Sequence, residues 1–192
     1  MTSEAPVIVV SGLPRSGTSM AMQMLKAGGV PVLTDAARGA DDDNPRGYLE
    51  LEAVKRLRSD RAWLDRAGGH AVKIIHMLLV DLPDDRPYRI VFMNRPMTEV
   101  IRSQAIMLQR SGRTGAALSP ERLAQVFQSQ LAQVRQWLAA RPNFQVLDVE
   151  HAEVMARPLE QARRMQAFLG LPLQVDAMVA AVDPSLHRNR GG

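Results

Sequence analysis

The chain has 192 residues, of which 46% are hydrophobic and 23% are charged, a composition typical of a globular protein with a sizeable core. It contains no cysteine, which excludes a disulfide framework, a thiolate metal site and a catalytic thiol. The net charge of +4 comes mainly from 21 arginines, but there are only 8 aromatic residues and no dense basic run, so nucleic acid is not an expected partner.

The first six residues lack the basic start of a signal peptide, and no apolar run approaches the length of a membrane span. His, Asp and Glu residues show no metal-ligand spacing, so no metal is expected. These features predict one cytoplasmic domain over residues 1–192 with no membrane span. The oligomeric state is left open.

Strand and helix patterns alternate along the chain. Helices are predicted over residues 17–28 and 48–61, and further helices begin at Pro96, Pro120 and Pro158, since proline is favoured in the first helical turn. Ser119 is the expected cap of the second of these three. Apolar segments predict strands over residues 7–10, 30–33, 71–75, 88–93 and 144–149. This alternation predicts an α/β fold with a mainly parallel sheet of about five strands flanked by helices.

The loop between the first strand and the first helix predicts an anion site. Its sequence, Gly12-x4-Gly17-Thr18-Ser19, nearly matches the phosphate-binding pattern G-x4-G-K-[ST], with Thr18 in the place of the lysine and a positive charge earlier, at Arg15. Ser16 and the hydroxyls that follow it offer capping groups. Backbone N–H groups at such a helix start attract phosphate or sulfate. The alternative is a glycine-rich turn that only joins strand to helix. An anion loop between a buried strand and a helix predicts a three-layer, P-loop NTPase-like fold.

A second anion site is predicted after the strand over residues 88–93. Arg95 lies at the end of this strand, and Ser103 follows two turns into the next helix. An arginine can bind a phosphate through two parallel hydrogen bonds, and the serine can add a hydroxyl. The alternative is a surface arginine and a solvated serine, so the pair carries weight only beside the first loop.

The two motifs together resemble those of sulfotransferases that use 3′-phosphoadenosine 5′-phosphosulfate (PAPS). The Arg95 and Ser103 pair is similar to the motif that holds the 3′-phosphate in that family. Residues 44–50 (Asn-Pro-Arg-Gly-Tyr-Leu-Glu) and Val72-Lys73 are similar to further stretches of bacterial members. The carboxyl-terminal pattern of these members is similar to Val149-Glu150, Pro158 and residues 168–172 here. The 5′-phosphosulfate loop of the family resembles a run of six residues in this chain: Pro14, Arg15, Ser16, Gly17, Thr18 and Ser19.

The chain also departs from the family pattern. The glycine- and lysine-containing motif near the carboxyl terminus of the cytosolic members is absent. Arg188 or Arg190 is the candidate substitute, and the alternative is a solvated tail. The cytosolic members carry a lysine and a histidine two residues apart after the central strand, whereas Lys73 and His76 are three apart here.

The resemblance implies transfer of a sulfuryl group from PAPS, without a metal, to a hydroxyl or amine of a small-molecule or glycan acceptor. Arg15, Thr18 and Lys73 are then expected to stabilise the charge on the leaving phosphate, which becomes adenosine 3′,5′-bisphosphate. A hydroxyl acceptor needs a general base. Glu50 is the first candidate, and His76 and Asp35 are the others.

The sequence is compatible with two other functions. A P-loop kinase or nucleotidase with a degenerate loop would use Asp148, at the end of a strand, to hold Mg²⁺ and Lys73 as a displaced phosphate ligand. A non-catalytic relative would bind a nucleotide only, and in that protein none of the three candidate bases would face the pocket.

Overall fold

A computed structural model describes residues 5–35, 47–111 and 118–183. Its sheet is parallel throughout, and the order of its four strands is β2-β1-β3-β4. Residues 30–33, predicted as a fifth strand, contribute only an isolated bridge between Val32 and Ala71. The parallel α/β fold is confirmed, whereas the single domain over residues 1–192 stays a prediction. The strands are β1 (Val7–Gly12), β2 (Ala71–Lys73), β3 (Tyr88–Asn94) and β4 (Phe144–Glu150).

The helices begin and end where local chemistry favours it. The hydroxyl of Ser119 accepts a hydrogen bond from the backbone N–H of Arg122 at 3.3 Å, and Gly170 ends a later helix with a φ of 64°. The described α-helices are α1 (Thr18–Ala27), α2 (Met97–Ser111), α3 (Pro120–Ala139), α4 (His151–Ala156), α5 (Pro158–Leu169) and α6 (Val175–Ala180). Shorter 3₁₀ helices span Glu52–Arg56, Ala62–Arg66 and His76–Asp81.

The sheet lies between two apolar cores, so the fold has three layers. Val7 and Val9 of β1 pack into the core that includes Val134 of α3. Ile8 and Val10, which alternate with them, pack into the opposite core with α1 and α5. A strand buried on both faces reads as a continuous apolar run, which is why β1 is recognisable in the sequence.

The helix predicted over residues 48–61 is wrong. The segment has no regular secondary structure up to Leu51 and then forms only the 3₁₀ helix Glu52–Arg56. Leu49 has a φ of 49°, which an α-helix does not allow. The preceding segment also binds this backbone, because the Asp35 carboxylate accepts from the Glu52 N–H at 2.6 Å and the Thr34 hydroxyl donates to the Glu50 carbonyl at 2.9 Å. These bonds position Glu50.

The parallel arrangement brings the carboxyl ends of the strands to one edge of the sheet. Val10 is opposite Lys73, Gly12 is opposite Met93, and β3 and β4 end together. The loop after β1, the end of β2 and the residues after β3 and β4 therefore share this edge, where open α/β sheets bind ligands.

Candidate active site

The loop between β1 and α1 has a backbone that needs its two glycines. A Cβ on Gly12 would lie 2.5 Å from the Met93 carbonyl oxygen, and one on Gly17 would lie 2.7 Å from a ring carbon of His151. Gly17 also has a φ of 101°, and Arg15 has one of 68°. Close packing against β3 and α4 thus holds the backbone of the loop in a single conformation.

No side chain caps the start of α1. The N-cap residue is Gly17, so the sequence-based expectation that Ser16, Thr18 or Ser19 would cap the helix is wrong. An α-helix leaves its first N–H groups without intrahelical partners, and its dipole makes this end positive. The first turn of α1 therefore offers donors and positive potential to an anion.

Arg15, Arg95 and Ser103 form one connected cluster. Arg15 Nε donates to Ser103 Oγ at 3.0 Å, and Arg95 Nη1 donates to the Arg15 carbonyl at 3.1 Å. Arg95 Nε also pairs with Glu99 Oε2 at 2.9 Å, in a pair whose side chains are largely buried. The two motifs that the sequence separates by 80 residues thus meet in a single basic site.

Lys73 connects the loop to the candidate base. Its ammonium donates to Ser19 Oγ at 3.0 Å and lies 3.4 Å from Glu50 Oε1. The Tyr48 ring centroid is 5.5 Å from the same nitrogen. The Lys73 side chain is 6% exposed and that of Glu50 is 31% exposed. A buried cation therefore stands between the anion loop and a carboxylate that reaches solvent.

These groups surround a cavity of about 350 Å³. Most of the residues predicted for the site line it, including Pro14, Arg15, Gly17, Thr18, Ser19, Glu50, Lys73 and Arg95. Ser16 and Ser103 are buried outside the lining, and Ser103 reaches the site through its bond to Arg15. Arg188 and Arg190 lie outside the described residues.

Two of the candidate bases do not line the cavity. His76 is buried, and its Nε2 is 3.0 Å from Gln130 Oε1. Asp35 binds the backbone of Glu52 instead. Glu50 is the one of the three whose side chain lines the cavity.

We expect His76 to make the protein less stable in mild acid. Burial lowers the pKa of His76 below its ordinary value of 6.5, against hydrogen bonds from Gln130 and the Gly12 backbone that raise it. The unfolded chain then binds a proton that the folded chain does not, so the free energy of unfolding falls as the pH drops below about 6.5. Urea unfolding at pH 7.5 and pH 5.5 measures this. His76→Gln should lose less stability between these pH values than wild type, and an equal loss would contradict the prediction.

Sequence reasoning missed several residues that line the cavity. His151 follows β4 directly, and its ring packs against Gly17. Tyr48 faces Lys73, while Gln104 and Met107 come from α2 next to Ser103. The position of His151 at the carboxyl end of a predicted parallel strand was the available signal, since the other sites lie at the same positions of their strands.

The kinase interpretation depends on Asp148 as a ligand of Mg²⁺, but Asp148 binds other side chains. Asp148 forms an ion pair with Arg135 and accepts from Asn94 Nδ2 at 2.9 Å, and it does not line the cavity. Within the described ranges, no group of three or more His, Asp or Glu residues is arranged to hold a metal ion. In the same part of the chain no helix combines the length and apolarity needed to cross a membrane.

The chain belongs to the sulfotransferase family, whose model matches residues 51–175. No curated protein matches the sequence. The predicted resemblance to a sulfotransferase is thereby confirmed at the level of the family.

Solved sulfotransferases share the fold. The sulfotransferase STF1 from Mycobacterium tuberculosis H37Rv is 17% identical with a TM-score of 0.62, over 94% of this chain and 71% of that one. The sulfotransferase domain of the Synechococcus PCC 7002 olefin synthase is 12% identical with a TM-score of 0.60, over 100% and 82%. The sulfotransferase from Alicyclobacillus acidocaldarius is 20% identical with a TM-score of 0.53, over 94% and 87%.

Proposed function

We propose that the chain transfers a sulfuryl group from PAPS to a hydroxyl or amine of a small-molecule acceptor. The observation that carries the proposal is the position of Lys73, whose ammonium is within reach of both the loop residue Ser19 and the Glu50 carboxylate in one cavity. A cytoplasmic location and a single domain over residues 1–192 are parts of the same proposal.

The donor would bind along the basic cluster. The loop from Pro14 to Ser19 and the open first turn of α1 suit the 5′-phosphosulfate, because they offer N–H groups and the dipole of a helix start. Arg95 and Ser103 are assigned to the 3′-phosphate, and their shared link to Arg15 supports one continuous site for both anionic groups. The adenine would then lie toward Gln104 and Met107, which line the cavity beside them.

Glu50 would act as the general base on a hydroxyl acceptor. It takes the proton as the acceptor oxygen forms its bond to sulfur, and the bond from sulfur to the bridging phosphate oxygen breaks. The electron pair stays on that oxygen, where negative charge grows. Lys73 and Arg15, which both line the cavity, would stabilise this charge in a preorganised site. The products are a sulfate ester and adenosine 3′,5′-bisphosphate, and the proton passes from Glu50 to solvent.

Calorimetry with adenosine 3′,5′-bisphosphate tests the donor assignment. We expect saturable binding and a rise in the unfolding temperature, because a ligand that binds only the folded state stabilises it. Mg-ATP serves as the comparison and should stabilise the protein less, since Thr18 replaces the lysine that holds the outer phosphates in P-loop kinases. Absence of binding at high micromolar bisphosphate, or a larger effect of Mg-ATP, contradicts the proposal.

A further inference from the structure

Three large apolar side chains stand exposed in one short segment after β2. Ile75, Met77 and Val80 are 43%, 48% and 37% exposed. In the described residues, the other large apolar side chains as exposed as these are Leu118 and Leu159, which lie far along the chain. We call Ile75, Met77 and Val80 the apolar ledge.

The geometry of the segment accounts for the ledge. A 3₁₀ helix has three residues per turn, so residues three apart lie on one side of it. His76 and Leu79 form the buried side of the helix His76–Asp81. Met77 and Val80, also three apart, therefore project together from a different side of the helix. The fold buries one row of this helix and leaves a second apolar row open.

The ledge begins inside the candidate active site. Ile75 lines the cavity together with Lys73 and Glu50, whereas Ile74 between them is fully buried in the core. Lys73 and Ile75 are two residues apart in extended chain, which places both on one side. Ile75, the first residue of the ledge, thus borders the position where the proposed sulfuryl transfer occurs, and Met77 and Val80 follow it within five residues of the chain.

We propose that the acceptor is an amphipathic alcohol, whose hydroxyl meets Glu50 and whose apolar chain leaves the cavity along the ledge. This inference rests on the proposed function. The three side chains of the ledge offer apolar surface to a ligand, which suits an alkyl chain better than the hydroxyls of a glycan. Met20, Met107 and Met155 also line the cavity, and flexible thioether side chains adapt to apolar ligands of varied shape. In the reaction, the alcohol oxygen gains the sulfuryl group, Glu50 takes the proton, and adenosine 3′,5′-bisphosphate leaves with the electron pair.

A series of straight-chain primary alcohols tests the inference. We expect KM with PAPS to fall from 1-butanol through 1-hexanol to 1-octanol, by up to about fourfold for each added methylene that the ledge covers. Glucose, which has hydroxyls but no alkyl chain, should be a poor acceptor. A KM that does not depend on chain length overturns the inference.

Ledge variants locate the effect. Met77→Ser and Val80→Ser should flatten the dependence on chain length while leaving the affinity for adenosine 3′,5′-bisphosphate unchanged. Leu159→Ser is the matched control, since Leu159 is 42% exposed on α5 and does not line the cavity. An equal effect of the control overturns the inference. So does a change of oligomeric state in Met77→Ser, measured by sedimentation, because a second copy of the chain would then cover the ledge.

The two proposals fail in different ways. If the wild type does not bind adenosine 3′,5′-bisphosphate, the proposed function falls and the inference falls with it. If the bisphosphate binds and PAPS is consumed, but glucose is the better acceptor, the inference alone is overturned.

Discussion

Arg95→Ala should weaken binding of adenosine 3′,5′-bisphosphate by roughly 10- to 100-fold, because a charge-assisted hydrogen bond to the 3′-phosphate contributes about 1.5–3 kcal/mol. Adenosine 5′-monophosphate lacks that phosphate, and its affinity should change far less. Calorimetry with both nucleotides on both proteins measures the difference. It therefore separates loss of the 3′-phosphate contact from general damage to the site.

The pair between Arg95 and Glu99 requires a second variant. Removing Arg95 alone takes away the cation that pairs with the Glu99 carboxylate, which is 15% exposed. This buried charge would repel any anion and lower the stability of the protein. The double variant Arg95→Ala/Glu99→Ala removes both charges and should still bind the bisphosphate weakly. If it binds as tightly as wild type, Arg95 does not hold the 3′-phosphate.

Glu50→Gln should lower kcat for sulfuryl transfer by about 10²- to 10⁴-fold, the usual contribution of a positioned general base. Glutamine has nearly the same shape and its carbonyl can still accept from Lys73, which Glu50 meets at 3.4 Å. Binding of adenosine 3′,5′-bisphosphate should therefore stay close to that of wild type. Release of this nucleotide from PAPS in the presence of 1-octanol, with glucose as the alternative acceptor, measures the rate.

Glu52→Gln is the matched control for this change. Glu52 lies two residues further along the chain, is 55% exposed and pairs with Lys55 at 2.7 Å. It does not line the cavity, so its loss should leave both kcat and nucleotide binding unchanged. A Glu50→Gln enzyme with a wild-type rate would mean that another group takes the proton. If kcat falls equally in Glu52→Gln and Glu50→Gln, the loss comes from lower stability of the segment and not from removal of the Glu50 carboxylate.

Local chemistry explains which parts of the fold could be predicted from the sequence. The apolar run of β1 and the prolines that begin α3 and α5 carry their own structural preferences, and the sequence located each of these elements correctly. The segment after Tyr48 has a helical spacing of apolar residues but is irregular up to Leu51 and then forms a short 3₁₀ helix. Its backbone is held by Thr34 and Asp35, and such contacts between distant segments leave no local pattern.

In the site, too, some features follow from the local sequence and others depend on the tertiary structure. Spacing alone predicted an anion loop with Arg15 and a second basic position at Arg95. The direct bond from Arg15 to Ser103, and the bridge of Lys73 between Ser19 and Glu50, depend on the order of the strands in the sheet. His151 joined the site for the same reason, since β4 ends at the same edge.

By itself, therefore, the sequence determined the parallel α/β fold, the glycine-dependent loop and the types of charged group that the site contains. Which of the three candidate bases lines the cavity depends on the tertiary structure. The same holds for the apolar ledge that begins beside this cavity. The physical reason is that backbone conformation and burial of a strand follow from neighbouring residues. The meeting of Lys73, Glu50 and Ile75 follows instead from how separate strands and loops pack at one edge of the sheet.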